Sequence, residues 1–223
     1  MGDMGISLIV IAITGLGIIG IFLFVQKRKK ALENDLRELS TQRGWSYSPF
    51  KEPLKWGYRL VSPDWTLEAA SVASGNSVEP SQNDVSQKTL INAPTLAVPG
   101  LLLLQPRGKT SKPLSPMEEK LAGLAARSFS GGFYGDLQET PAGSGDFRNQ
   151  FITMSQTGDL DARLISPQVE SVLLNWKGAR PWIKFDSGGM QIEIKGKHIT
   201  NKEEIKALAD LADALASAFR GKK

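Results

Sequence analysis

The feature that most constrains this chain is a run of 20 residues, Ile6–Val25 (ISLIVIAITGLGIIGIFLFV). It carries no charge, and only Ser7 and Thr14 in it are polar. As a helix rising about 1.5 Å per residue it measures roughly 30 Å, the thickness of a bilayer's hydrocarbon core. Lipid offers the backbone no hydrogen-bond partner, so a helix is the conformation such a run adopts. A cleaved signal peptide would open with basic residues, hold a shorter apolar core and end in small residues. Here Met1–Gly5 contains one acid and no base, and bulky Phe22, Leu23, Phe24 and Val25 close the run. The run therefore reads as a retained signal anchor.

Lys27, Arg28, Lys29 and Lys30 follow it directly, and nothing basic precedes it. Positive charge is retained on the cytoplasmic side, which predicts a short external N-terminus (1–5) and a cytoplasmic C-terminal domain. The expected location is a cell membrane, crossed once. The bilayer is the partner of residues 6–25, and anionic phospholipid headgroups are the partners of Lys27–Lys30. These four residues account for most of the net charge of +4. Without them the chain is close to neutral, which argues against a nucleic-acid surface.

Two motifs in this region are coincidental. Gly15-Leu16-Gly17-Ile18-Ile19-Gly20 spells the GxGxxG of dinucleotide sites. That loop works only between a strand and a helix N-terminus, with its amides free to meet a pyrophosphate. N-terminal Met-Gly fails the myristoylation pattern because Ile6 stands where Ser or Thr is required.

Residues 26–44 predict a basic juxtamembrane helix, with Leu32, Leu36 and Leu39 on one face and Gly44 as its stop. One leucine stripe of this length fits docking against a domain better than a coiled coil. Residues 45–223 then read as one soluble domain. Trp45–Ser48, Trp65–Val72, Lys88–Ile91, Leu101–Leu104 and Phe147–Met154 read as strands, and Trp182–Phe185 with Met190–Lys195 as a hairpin. Helices are predicted from Ser115-Pro116-Met117-Glu118 to about Arg127, from Ser166-Pro167 to near Gly178, and from the capping box Thr200-Asn201-Lys202-Glu203 onward. Gly75–Ser86 and Arg107–Pro113 read as loops. The fold class is α+β: an N-terminal transmembrane helix, then a mainly antiparallel sheet with three to four helices.

The composition excludes several chemistries. With no cysteine there are no disulfides, thiolate nucleophiles, Fe–S clusters or Cys-based zinc sites. One histidine, His198, makes a transition-metal site within one chain improbable, so no metal or cofactor is expected. No nucleophile or acid motif frames His198, which reads as an exposed loop imidazole. Asp159-Leu160-Asp161 lacks the glycine and distal glutamate of a calcium loop. Ser128 and Ser130 lack a nucleophile elbow, and Gly131, Gly132 and Gly135 lack the Lys-Ser/Thr of a phosphate loop. Trp45, Trp56, Trp65, Trp176 and Trp182 read as core, with Trp45 and Trp56 also suited to a membrane surface.

Three phrases carry a family resemblance: Glu38-Leu39…Arg43-Gly44-Trp45-Ser46-Tyr47, Ala93-Pro94…Pro99-Gly100-Leu101-Leu102…Pro106-Arg107, and Gly158–Pro167. In layout the chain resembles bacterial single-span membrane proteins of unknown function, over most of its length. The resemblance implies a short outer tail, one anchor and a cytoplasmic α+β domain, and brings no catalytic residues. The expected role is a non-enzymatic interaction or assembly module with a protein partner or a second copy of itself. Two alternatives are a carboxylate-dependent hydrolase or transferase using Asp136, Asp159 or Asp161, and an inner-leaflet lipid or envelope sensor. Protease added to intact cells is expected to leave the C-terminal domain uncut, and digestion there would reverse the predicted orientation.

Overall fold

The computed structural model describes residues 2–73, 85–107, 137–155 and 165–220, with side chains from Gly20 onward, Gln138 excepted. The predicted helix at 115–127, the 75–84 portion of the predicted loop, and Asp136, Asp159 and Asp161 lie outside the described residues.

Helix α1 runs unbroken over Gly2–Arg43. It contains the Gly15–Gly20 motif within helical backbone, as expected of a fortuitous match. Among the described residues no helix is long and apolar enough to cross a membrane. Because residues 6–19 carry no described side chains, the membrane expectation rests on the sequence.

The end of α1 is specified residue by residue. Gly44 takes φ +68, its N–H bonds the Thr41 carbonyl at 3.4 Å, and the Trp45 N–H bonds the Ser40 carbonyl at 2.8 Å. This is a Schellman cap, which consumes carbonyls the helix end would leave unpaired and favours glycine at the left-handed position. The chain turns back at once into β1 (Ser46–Lys51). There follow β2 (Lys55–Val61), β3 (Thr66–Ala73), β4 (Val85–Ala93), β5 (Leu102–Pro106), β6 (Gln138–Glu139), β7 (Phe151–Ser155), β8 (Trp182–Asp186) and β9 (Gly189–Lys195). The remaining described α-helices are α2 (Gly145–Gln150), α3 (Pro167–Leu174) and α4 (Lys202–Arg220).

The described strands make one nine-stranded sheet in the order β1-β2-β3-β4-β9-β8-β5-β7-β6, with every neighbouring pair antiparallel. The α+β class is thus observed. One face carries the main core. Leu60, Leu67, Ile91, Ile192, Ile183 and Leu102 occupy successive strands, and Val169, Leu173, Ile205, Leu208 and Leu215 cover them from α3 and α4. A second, smaller apolar cluster on the other face joins Leu101, Leu103, Ile152 and Met154.

Leu36 and Leu39 of α1 are buried in the main core, so the leucine stripe docks against the domain. Around this seam Trp65 makes an edge-to-face contact with Trp45, centroids 4.9 Å apart, and donates its Nε1–H to Asp213 at 2.7 Å. Arg43 pairs with Asp210 at 3.0 Å. The first strand, the sheet and the C-terminal helix all meet where α1 ends.

Four expectations need correction. The strand read at Trp45–Ser48 continues through Pro49 to Lys51, because β1 is an edge strand where a missing N–H costs nothing. Residues 147–150 are helical, since the Ser144 hydroxyl caps the Phe147 N–H at 3.3 Å and starts α2 before β7 can begin. The cap of α4 is Asn201 and not Thr200: its Oδ1 accepts from the Glu203 and Glu204 amides at 2.8 and 3.3 Å. Helix α3 ends at Leu174, before the predicted stop at Gly178. The hairpin closes as expected through Ser187 and Gly188, with the Gly188 N–H bonded to Asp186 Oδ1 at 2.8 Å.

Leu36→Ala is expected to cost about 2–5 kcal/mol, as large-to-small changes at filled core sites do. Asp35→Ala, one residue away on the exposed side, should change the stability by less than about 0.5 kcal/mol. Equal midpoints for the two variants in detergent-solubilised full chain would show that α1 is not part of the core.

Candidate functional site: a groove between the first helix and the first hairpin

Beside the buried leucines, α1 and β1–β2 part to leave a groove of about 620 Å³, within the roughly 300–1,000 Å³ common for ligand pockets. Leu32 and Leu36 form one wall; Tyr47, Pro49, Trp56 and Tyr58 form the other; His198 and Thr200 close the back. Lys29 and Lys51 supply positive charge, and Glu33 is held by Arg37 at 2.9 Å. Of the basic quartet predicted to set topology, Lys27, Arg28, Lys29 and Lys30 are all exposed on α1. Lys29 faces this groove, while the Arg28 guanidinium lies over the Phe24 ring, 5.3 Å from its centroid.

Pleating explains the wall. Trp56, Tyr58 and Leu60 alternate along β2 on the core side of the sheet. Gly57 lies between them because a Cβ there would fall 1.9 Å from the Ala69 carbonyl oxygen, on the adjacent strand. The phenol of Tyr58 donates to the Ile199 carbonyl at 2.7 Å. Burial, followed by the neighbouring Tyr47, pushes the Tyr58 phenol far above its ordinary value, so it stays protonated and keeps donating.

Two further polar side chains from adjacent strands reach the same segment. Ser71 Oγ lies 2.7 Å from His198 Nδ1. Thr89 Oγ1 donates to the Lys197 carbonyl at 2.9 Å and accepts the Ile199 N–H at 3.1 Å. Tyr58, Ser71 and Thr89, on β2, β3 and β4, therefore stitch Lys197-His198-Ile199 across the sheet. Buried polar groups of this kind are tolerable only when paired, and here they fix one conformation of the connection into α4.

His198 is thus not the exposed loop imidazole expected. It is half-buried, its ring centroid 5.9 Å from that of Tyr58. Burial lowers its pKa from the ordinary 6.5, because the charged form loses water. The Ser71–His198 contact has the elements of a nucleophilic dyad, but Ser71 is only 2% exposed and offers a substrate no approach. The pair is structural. Neither Tyr58, Ser71 nor Thr89 was singled out in the sequence, although each breaks an apolar alternation at an inward position. Such a polar residue on the buried face of a strand is the signal that would have found them.

Elsewhere, Lys184 and Asp186 form a 2.9 Å ion pair on the opposite face of the sheet. Lys55 and Arg59 converge on Glu68 at 2.8 and 2.7 Å. Burial pushes the Glu68 carboxyl up, but the hydrogen bonds and charges of these two cations outweigh it, and its pKa is lowered. Among the described residues no group of three or more His, Cys, Asp or Glu side chains stands ready to hold a metal.

No protein-family model matches the chain. The searches of curated proteins and of solved structures likewise found no match.

Folded His198 binds a proton less readily than the unfolded chain does, so stability is greatest above pH 6.5 and falls as pH drops through the lowered folded value. His198 is the chain's single histidine. The unfolding midpoint of the full chain should therefore decline from neutral pH to about pH 5, and His198→Asn should flatten that decline. An unchanged slope in the variant would assign the dependence to another group.

Proposed function

We propose that the chain is a single-pass membrane protein whose cytoplasmic α+β domain is a non-enzymatic interaction or assembly module held at the bilayer. Residues 6–25 are the span, and Lys27–Lys30 hold its cytoplasmic end against anionic headgroups. One observation carries this reading. The helix that begins in the apolar run continues without a break until its Leu36 and Leu39 are part of the domain core. A linker would let the domain wander, whereas this helix holds it in one orientation.

The groove supports binding over bond-breaking. Its walls are apolar and aromatic, its imidazole is engaged by a buried serine, and its acid is neutralised by an arginine one turn away. The partner in this reading is a protein, or a second copy of the chain, that meets the domain at the membrane surface.

Two measurements on the full chain test it. Alkaline extraction should leave the protein with the membranes; release into the supernatant would overturn the anchor. Chemical crosslinking in the native membrane should give one discrete adduct, which purified chain reproduces if the partner is a second copy. Only uncrosslinked chain across a range of crosslinker lengths and concentrations would overturn the module reading.

A further inference from the structure

We propose that the tip of the β1–β2 hairpin is a second membrane contact, seating Leu54 and Trp56 in the headgroup layer of the same leaflet that surrounds the end of the anchor. The proposal rests on the anchor reading and adds a surface to it.

Direction comes first. The Schellman turn at Gly44 sends β1 back along α1, and the Arg37 guanidinium lies 5.5 Å from the centroid of the Tyr47 ring. From Arg37 back to Lys29, eight helical residues span about 12 Å. From Tyr47 on to Lys51, four strand residues span about 13 Å. Lys29 and Lys51 therefore stand at one level, and both line the same groove. The turn beyond Lys51 reaches on the order of 5 Å further. Val25, the last residue of the apolar run, lies about 6 Å beyond Lys29 along the helix. The hairpin tip and the end of the hydrocarbon-spanning segment come out level.

The tip has the chemistry that depth requires. Leu54 is 51% exposed and Trp56 39% exposed, while Tyr58 and Leu60 further along β2 are buried. Tryptophan prefers the boundary between hydrocarbon and water. Lys51 is exposed beside them. Lys55 is engaged by Glu68 at 2.8 Å, and Glu52 is the one acid in the turn. The backbone of the tip is already paired. Glu52 N–H donates to the Lys55 carbonyl at 2.7 Å, Lys55 N–H to the Glu52 carbonyl at 3.3 Å, and the Leu54 carbonyl accepts from Ala73 N–H at 2.9 Å; Pro53 has no N–H to satisfy. Entry into a poorly hydrated layer leaves few peptide groups stranded.

Because the chain has no cysteine, a single fluorophore can be placed on the full protein as Leu54→Cys, Phe22→Cys or Ser187→Cys. Ser187 is exposed in the β8–β9 turn, at the end of the sheet opposite the hairpin tip. Each labelled chain is reconstituted in vesicles of phosphatidylcholine and phosphatidylglycerol and quenched by spin-labelled lipid or by aqueous iodide. The expected result is lipid quenching at 54 severalfold stronger than at 187, with the quencher near the headgroup most effective, and deeper quenching at 22. If 54 is quenched like 187 while 22 is quenched by lipid, the hairpin contact is overturned and the anchor stands. If 22 is quenched only by iodide, the anchor falls, and the hairpin proposal with it.

Discussion

The arrangement depends on burying the last two turns of α1 in the core of the domain. An apolar helix followed by a folded domain usually needs a joint, and joints are where relative motion resides. Here the joint is replaced by packing. Leu36 and Leu39 have lost their contact with water, Trp65 meets Trp45 edge-to-face just beyond the helix, and Arg43 reaches Asp210 on α4. Stripping these side chains back to water would cost the domain part of its own core, so the helix cannot separate from it cheaply.

The groove exists because the same helix covers only part of the sheet's edge. His198 and Thr200 close its back, on the segment leading into α4 that Tyr58, Ser71 and Thr89 bind. Apolar residues at those positions would still fill the interior, but they would leave the Lys197–Ile199 backbone unpaired. Leaving such groups buried without partners costs more than the hydrogen bonds themselves contribute. The stitching therefore explains why an imidazole sits at the back of an apolar groove, with its Nδ1 engaged by Ser71.

Local signals in the sequence were strong where a single element determines its own shape. The Ser187–Gly188 turn, the Ser166-Pro167 helix start, the leucine stripe and the amphipathic α4 are all visible in residue order. What was hidden depends on the partner across the sheet. β2 alternates Lys55, Gly57 and Arg59 with Trp56, Tyr58 and Leu60, but the reasons for the first set lie on β3: Gly57 makes room for Ala69, and the cations answer Glu68. Phe147 looked like the start of a strand because nothing in its own side chain reveals that Ser144 caps a turn first. The groove combines side chains from positions 29 to 200, a proximity no local pattern encodes. The candidate acids Asp136, Asp159 and Asp161 lie outside the described residues.

A helix that is continuous from Gly2 to Arg43 and capped without slack also acts mechanically. If the helix turns about its own axis, the whole nine-stranded sheet turns with it, as the arm of a crank turns with its shaft. In the proposed arrangement, residues 26–43 extend about 27 Å from the bilayer, which sets the height at which the domain would engage a partner. Motion in the lipid and contact in the aqueous layer would then be two readings of one rigid body.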